Sequence, residues 1–494
     1  MRGSSRALPC SLVGISLLCT VFLLEPPPLT SEHRFQRPTT IMDSNAKPGA
    51  SRWVQLDVLR AVAVFFVLGP HTPFRLPRES LGYWFFEIWR RMGWVGVDLF
   101  FVLSGFLIGG LLFSEYRKHG GIRFGRFLLR RTFKIWPSYL VFLTAAFAWD
   151  VWDAPDRTVG LLTRFKQSAQ GIWPYLIHIQ NYFLSPMIER IGHAWSLAVE
   201  EHFYLLLPLL LLGLIRWAGR TPEIRANDDS PPAPFRRLPW ICLGVMFLCL
   251  GLRIHAWRAV SEFDEFSHHW PTHLRMDSLF AGVTLAYAVH FARPRIEALR
   301  RWQWTILFSS LGCFIPFGFV SGTSMLACTI GYTVLAMGSM GLVLLAWFSH
   351  VTALDFVATE TVVATGIPGR MIRGGVAIAT VILSKIGERS YSIYLWHTPF
   401  AAPFILKLQA HMGFWTSPLH YTLMMATYVT VAIGAGVVMY ALIEAPAVML
   451  RERWFPSRSN IEVARPEKAV PHLVPRPVIK LPVVESVDRF RHAS

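Results

Sequence analysis

His71 carries the first candidate chemistry. It ends an apolar run that holds Asp57 and Arg60 near its start and is broken by Pro70 and Pro73. On a helix the ring would lie about 16 Å beyond Arg60 at 1.5 Å per residue. The negative end of a helix dipole favours imidazolium, which makes the ring a better proton acceptor and suits a general base. A lone interfacial histidine is more often structural, and Asp57 with Arg60, three apart on one face, reads by itself as an interfacial anchor. Asp98, one turn inside the next apolar run, needs a partner, for which His71 and Arg275 are the candidates. Ser104 is a weak nucleophile candidate, since no base accompanies it on its helix. Gly105 and Gly109 form a small-xxx-small pair whose default reading is close helix packing.

Glu200 and Glu201 follow Trp195 in another apolar run. Adjacent positions point about 100° apart around a helix, so the two carboxylates cannot serve one partner. Arg275 and Asp277 open a further run, Tyr394 and His397 lie in a later one, and Glu444 with Pro446 ends the last. Arg130, Arg131 and Lys134 close a basic loop that would attract phosphates, although a loop on the cytoplasmic side needs no other explanation. An ionisable group costs about 2.5–3.5 kcal/mol at the centre of a spanning helix, so each of these is a functional candidate.

The elements that must position them are transmembrane helices. Of 494 residues 53% are hydrophobic and only 16% charged, below the roughly one quarter usual in soluble domains. Ten apolar blocks fit spans of about 20 residues: 53–69, 95–113, 135–151, 195–215, 240–257, 276–291, 304–320, 325–348, 391–408 and 421–443. Strand alternation is absent, so the expectation is an all-α, polytopic helical bundle of about ten transmembrane helices. The net charge of +17 does not call for nucleic acid. Alternate loops hold 29 Lys and Arg against ten in the others, which puts both termini in the cytoplasm.

Three segments are expected: an extension over 1–52, a membrane domain over 53–446, and a basic disordered cytoplasmic tail over 447–494. The extension contains a short apolar run, Leu8–Leu24, that resembles a signal or an extra helix and would invert the charge pattern. Met42 is an alternative start that removes the conflict. The six cysteines lack a framework; a Cys313–Cys328 bridge is conceivable, but packing is the plainer role. His268, His269 and His273 lack the spacing of a metal site, and no metal is expected.

The same residues carry a resemblance. Leu56-Asp57-Val58-Leu59-Arg60-Ala61 through His71, Gly96-Val97-Asp98-Leu99-Phe100-Phe101-Val102-Leu103-Ser104-Gly105-Phe106, Arg130-Arg131 through Pro137 and Tyr139, and Trp195-Ser196-Leu197-Ala198-Val199-Glu200-Glu201-His202-Phe203-Tyr204 come in order. Arg275-Met276-Asp277, Ser390-Tyr391-Ser392-Ile393-Tyr394-Leu395-Trp396-His397 and Glu444-Ala445-Pro446 follow. This series resembles the acyltransferase family 3 membrane O-acyltransferases. His202 departs from the usual Gln, and Gly69-Pro70 departs from the apolar or Tyr residues common before the histidine. Some relatives carry a fused hydrolase-like domain, for which these residues offer no counterpart.

The resemblance implies transfer of an acyl group, often acetyl, from cytoplasmic acyl-coenzyme A to a hydroxyl of a glycan, glycolipid or related acceptor, with no tightly bound cofactor. It implies His71, Arg60, Asp98 and Glu201 as catalytic, with Asp98 or Glu201 orienting the His71 base. Arg130, Arg131, Lys134 and Ser104 would meet the donor, and Trp195, Glu200, Arg275, Asp277, Tyr394 and His397 the acceptor. The expected setting is a bacterial inner membrane, with the bilayer, acyl-coenzyme A and a carbohydrate or glycolipid acceptor as partners and the oligomeric state open. A transporter or flippase-like protein is the rival from another class, weakened because the two halves show no matching broken helices.

Overall fold

The computed structural model describes residues 53–79, 82–152, 160–184, 191–219, 232–349, 367–412 and 418–456. The extension with its Leu8–Leu24 run and Met42, and the tail from 457 onward, lie outside the described residues. Every regular element among the described residues is helical. The main helices are α1 (Val54–Leu68), α2 (Tyr83–Arg91), α3 (Val95–His119), α4 (Phe124–Trp152), α5 (Leu161–Leu176), α6 (Trp195–Trp217), α7 (Leu238–Ala259) and α8 (Glu265–His268). They are followed by α9 (Thr272–Phe291), α10 (Arg293–Ala298), α11 (Gln303–Phe314), α12 (Tyr332–Phe348), α13 (Ile367–Glu388), α14 (Ser390–Met412), α15 (Pro418–Met439) and α16 (Ala445–Trp454).

Six helical stretches among the described residues are long and apolar enough to cross a bilayer: Val54–His71, Val95–His119, Gly192–Trp217, Ala233–Ala259, Ala327–Phe348 and Leu419–Trp454. The expected ten is therefore not reached on length and composition. The block at 304–320 is not one helix, because Pro316 falls where α11 gives way to a 3-10 turn, Ile315–Gly318. The block at 391–408 lies in α14, which carries Pro399, Pro403 and Lys407. Large apolar side chains such as Phe247, Leu248 and Phe308 face outward, as an integral membrane protein requires.

Helix α9 is the hub, buried at every position but His273. A helix buried on all sides sits at the centre of a bundle. It packs most extensively on α3, and glycines bring the two backbones together. A methyl on Gly105 would collide with the Leu279 carbonyl, and one on Gly282 with the Val102 carbonyl. The small-xxx-small pair is thus a crossing point, with Gly109 set against Ala286. Gly387 likewise brings α13 onto the Asp57 carbonyl of α1, and Gly436 brings α15 onto Ile393 of α14. Gly120, in the left-handed region at φ 66°, ends α3.

Four buried thiols, Cys242, Cys249, Cys313 and Cys328, are free, so Cys313 and Cys328 do not pair. The expected tail begins differently from its sequence reading. A turn at Tyr440–Glu444 continues the last span into α16, and Glu452 on that helix binds Arg130 at 2.8 Å. Contact with the start of α4, where Phe133 also meets Trp454 and Phe455, supplies an order that a Pro- and Arg-rich composition does not reveal.

Candidate functional site

Three histidines from three distant segments converge. His71 sits in a 3-10 turn, Gly69–His71, that ends α1; His193 lies in another, Gly192–Ala194, before α6; His397 is inside α14. Their ring centroids lie 4.8 Å apart for His71 and His397, 5.0 Å for His193 and His397, and 6.0 Å for His71 and His193. Pro70 breaks the α1 ladder here, and Gly69 lets the turn press against the Trp89 carbonyl of α2. His71 Nδ1 lies 2.8 Å from the Val67 carbonyl and His397 Nδ1 lies 2.7 Å from the Tyr394 carbonyl. A carbonyl only accepts, so both Nδ1 atoms carry the proton, and each neutral ring keeps its lone pair on Nε2. His397 Nε2 is buried with no protein donor among the described residues. His193 is satisfied on both sides, by the Leu395 carbonyl at 3.3 Å and Thr398 Oγ1 at 3.1 Å.

Beside this cluster lies a partly open cleft between α1, α3, α4, α6, α13 and α14. Arg60, Arg131 and Lys134 give it positive charge, Glu200 and Glu388 negative charge, and Phe100, Phe101, Leu107 and Ile108 an apolar wall. Arg60 leans on Asp57 at 2.6 Å. Glu200 accepts from Ser104 Oγ at 2.9 Å and from Tyr204 OH at 2.6 Å, which ties α3 to α6 across the cleft. The partition between cleft and histidines is Tyr394: it lines the cleft, its hydroxyl donates to the His193 carbonyl at 2.5 Å, and it meets Ser196 Oγ at 2.6 Å.

The remaining sequence candidates lie elsewhere. Asp98 is wholly buried, bound to Arg275 at 2.9 Å and to Ser278 Oγ at 2.7 Å. Of its two candidate partners, then, Arg275 holds it and His71 bonds to a backbone carbonyl. Arg275 also lies over the Tyr332 ring, 3.6 Å from guanidinium carbon to centroid. Asp277, read as an acceptor-binding residue, is buried against Arg253 at 2.7 Å. Trp195 packs on His269 and Trp270 near Arg275. Arg130 bonds Glu452 and the Phe455 carbonyl, and does not line the cleft. Glu201 keeps a buried Oε1 without a hydrogen-bond partner among the described residues.

Sequence reading gives no role to His193, nor to Ser196, Tyr204 and Tyr391, which stand only within the motifs of the resemblance. His193 carries no sequence signal, because a helix-opening histidine has no spacing that distinguishes it from a neighbouring loop residue. Tyr204 had a signal: Glu200 four residues earlier lies on the same helix face. Tyr391, also on the cleft, donates to the Ile135 carbonyl at 2.8 Å and so joins α14 to α4.

A family model described as an acyltransferase domain matches residues 53–437. Similar curated proteins include the peptidoglycan O-acetyltransferase OatA of Listeria monocytogenes, 28% identical over 70% of this chain and 48% of its own length. The O-acetyltransferase OatA of Staphylococcus aureus is 28% identical over 70% of this chain and 50% of its own. A putative O-acetyltransferase of Staphylococcus aureus strain COL is 24% identical over 69% of this chain and 49% of its own. The chain thus spans about half the length of the curated relatives it matches. No solved structure matches it.

Proposed function

Since the chain belongs to the acyltransferase family, we propose that it moves an acyl group, acetyl first among them, from acyl-coenzyme A to a hydroxyl of a glycan or glycolipid. The observation that carries this reading is the adjacency of a basic cleft and a histidine cluster, divided only by Tyr394 and Ser196. The donor's phosphates are drawn to Arg131, Lys134 and Arg60, and its acyl arm runs along the wall of Phe100 and Phe101 toward Tyr394. Arg130 contributes less, being held by Glu452. The acceptor reaches the histidines from the opposite end.

His71 is the general base. The Val67 carbonyl, rather than Asp98, fixes the tautomer that leaves Nε2 free. As the acceptor oxygen attacks the thioester carbon, His71 takes the hydroxyl proton; as the carbon–sulfur bond breaks, the proton passes to the departing thiolate. Glu200, held by Ser104 and Tyr204, keeps the cleft wall in place, while Asp98, Arg275 and Asp277 hold the bundle. The loop charges favour cytoplasmic termini and the relatives are bacterial, so in a bacterial cell membrane donor and acceptor come from opposite faces. The names of the two OatA relatives support acetyl and, for the Listeria protein, a peptidoglycan acceptor.

The test uses purified full-length protein in liposomes, radiolabelled acetyl-coenzyme A, and crude glycan and lipid fractions of the host envelope. Label should reach an acceptor with the wild type. Folded His71→Ala should lose roughly 10²–10⁴ in rate, as for removal of a positioned base. Normal turnover by His71→Ala would remove the base assignment. Absence of both transfer and donor binding in the wild type would overturn the reaction class and favour transport.

A further inference from the structure

Of the three convergent histidines, the proposed reaction uses only one. His193 has both ring nitrogens engaged and reads as part of the wall. His397 differs: its Nδ1–H is spent on the Tyr394 carbonyl of its own helix, and its Nε2 lone pair is buried among protein atoms with no donor among the described residues. The residue is wholly buried, and its ring lies nearest that of His71, at 4.8 Å and 74° between planes. A buried acceptor without a donor is costly, and native proteins rarely keep one without a use. His71, also carrying its proton on Nδ1, presents a second lone pair. The two rings lie edge to face at 4.8 Å between centroids, so a proton added to His71 Nε2 supplies the unpartnered His397 Nε2 with a donor that a turn of the rings brings into line.

We infer that His397 is the proton partner of His71, its Nε2 accepting a hydrogen bond from the imidazolium formed when His71 deprotonates the acceptor hydroxyl. The inference rests on the reaction proposed above and deepens it. In the step, the acceptor O–H bond breaks as its oxygen bonds the acyl carbon. The proton resides on His71 Nε2, shared toward His397, until the carbon–sulfur bond breaks and the thiolate takes it. Nothing is oxidised or reduced, and ester and thiol are the products. His397 touches neither substrate and is a positioning residue acting through His71. The titratable groups facing it are His71 from the turn after α1, His193 from the turn before α6, and Tyr394 on its own helix. None of the three rings bonds a charged side chain among the described residues. A purely structural His397 would need only its Nδ1–H, because that bond alone secures the ring to α14.

Two substitutions separate these roles. His397→Asn keeps a donor near the Nδ1 position and loses the Nε2 acceptor; His397→Gln carries an amide oxygen to the ε position and cannot titrate. Full-length variants in liposomes are assayed with acetyl-coenzyme A and the acceptor fraction over a range of pH. Folding is checked by thermal unfolding in detergent. Loss of a hydrogen bond to an ionised partner predicts that His397→Asn lowers kcat about 10- to 100-fold with donor KM unchanged. Its acid limb should move to lower pH by about one unit, since the imidazolium of His71 has lost a stabilising acceptor. His397→Gln should stay within about threefold of wild-type kcat, with the acid limb in place.

Equal losses in both folded variants with unmoved acid limbs would overturn the inference, as would full activity in His397→Asn. If His397→Asn fails to fold, His397→Gln decides: near-normal kcat upholds the acceptor role, and a loss beyond about 100-fold in folded protein overturns it. An inactive wild type would instead mean that the proposed reaction itself has failed, so the two failures are distinguishable.

Discussion

Two buried polar regions lie on different sides of α3, one closed by ion pairs and the other beside a cleft. Toward α9, Asp98 with Arg275 and Asp277 with Arg253 form ion pairs at 2.9 Å and 2.7 Å, supported by Ser278 and Thr333. Their charges face each other, and that region resembles a clamp. Toward α1, α6 and α14, charges line a partly open cleft and the Nε2 of His397 has no donor among the described residues. Burial and ionisability are common to both. What distinguishes them is open space, since the clamp too keeps buried atoms without a partner among the described residues, Arg275 Nη1 and Asp277 Oδ1 among them; the cleft decides which region can receive a substrate. The clamp serves the site indirectly, since α3 carries both Asp98 and Ser104 and must hold its place for the cleft to exist.

The sharpest way to break this contrast is Asp98→Ala, which leaves Arg275 charged and buried. Destabilisation by about 3–5 kcal/mol is expected, seen as loss of folded protein and a lower Tm in detergent. Asp98→Leu combined with Arg275→Met should recover much of it, because a buried ion pair replaced by apolar groups is often near neutral. A stable Asp98→Ala protein that has lost only turnover would move Asp98 from clamp to chemistry.

A smaller effect is expected at the mouth of the cleft. Arg131→Ala and Lys134→Ala should each raise donor KM about tenfold with little change in kcat, through loss of a charge-assisted contact made equally in ground and transition states. Unchanged donor KM in both would detach the donor from this cleft. Ser104→Ala removes one hydrogen bond to Glu200 and should cost about 1 kcal/mol of stability and only a few-fold in rate. Complete loss of transfer in folded Ser104→Ala would instead make the hydroxyl a nucleophile. The smallest change is Arg130→Ala. Its partly exposed pair with Glu452 contributes about 0–1 kcal/mol, and donor KM should stay put. A tenfold rise in KM would show that Arg130 leaves Glu452 to meet the donor.

The apolar runs could be read directly from the chain, because hydropathy is a property of consecutive residues. So could the ionisable residues within them, the Gly105 and Gly109 crossing, and the basic stretch holding Arg131 and Lys134. Element boundaries were less legible. Pro316 divides an apolar block that hydropathy treats as continuous, and α16 owes its order to contact with α4 rather than to composition. His193 left no mark, since its meaning lies in two rings that are 122 and 204 positions away in the numbering.

By itself, then, the sequence determined that this is a helical membrane protein with costly polar residues in its spans, and the order of its motifs pointed to the family. Tertiary structure alone decided how those residues are paired. Asp98 and Arg275 are 177 positions apart, and their distance follows from how α3 and α9 cross at glycine, not from any local spacing. Periodicity settles which way a side chain points from its own helix; only the packing of helices settles what it meets there.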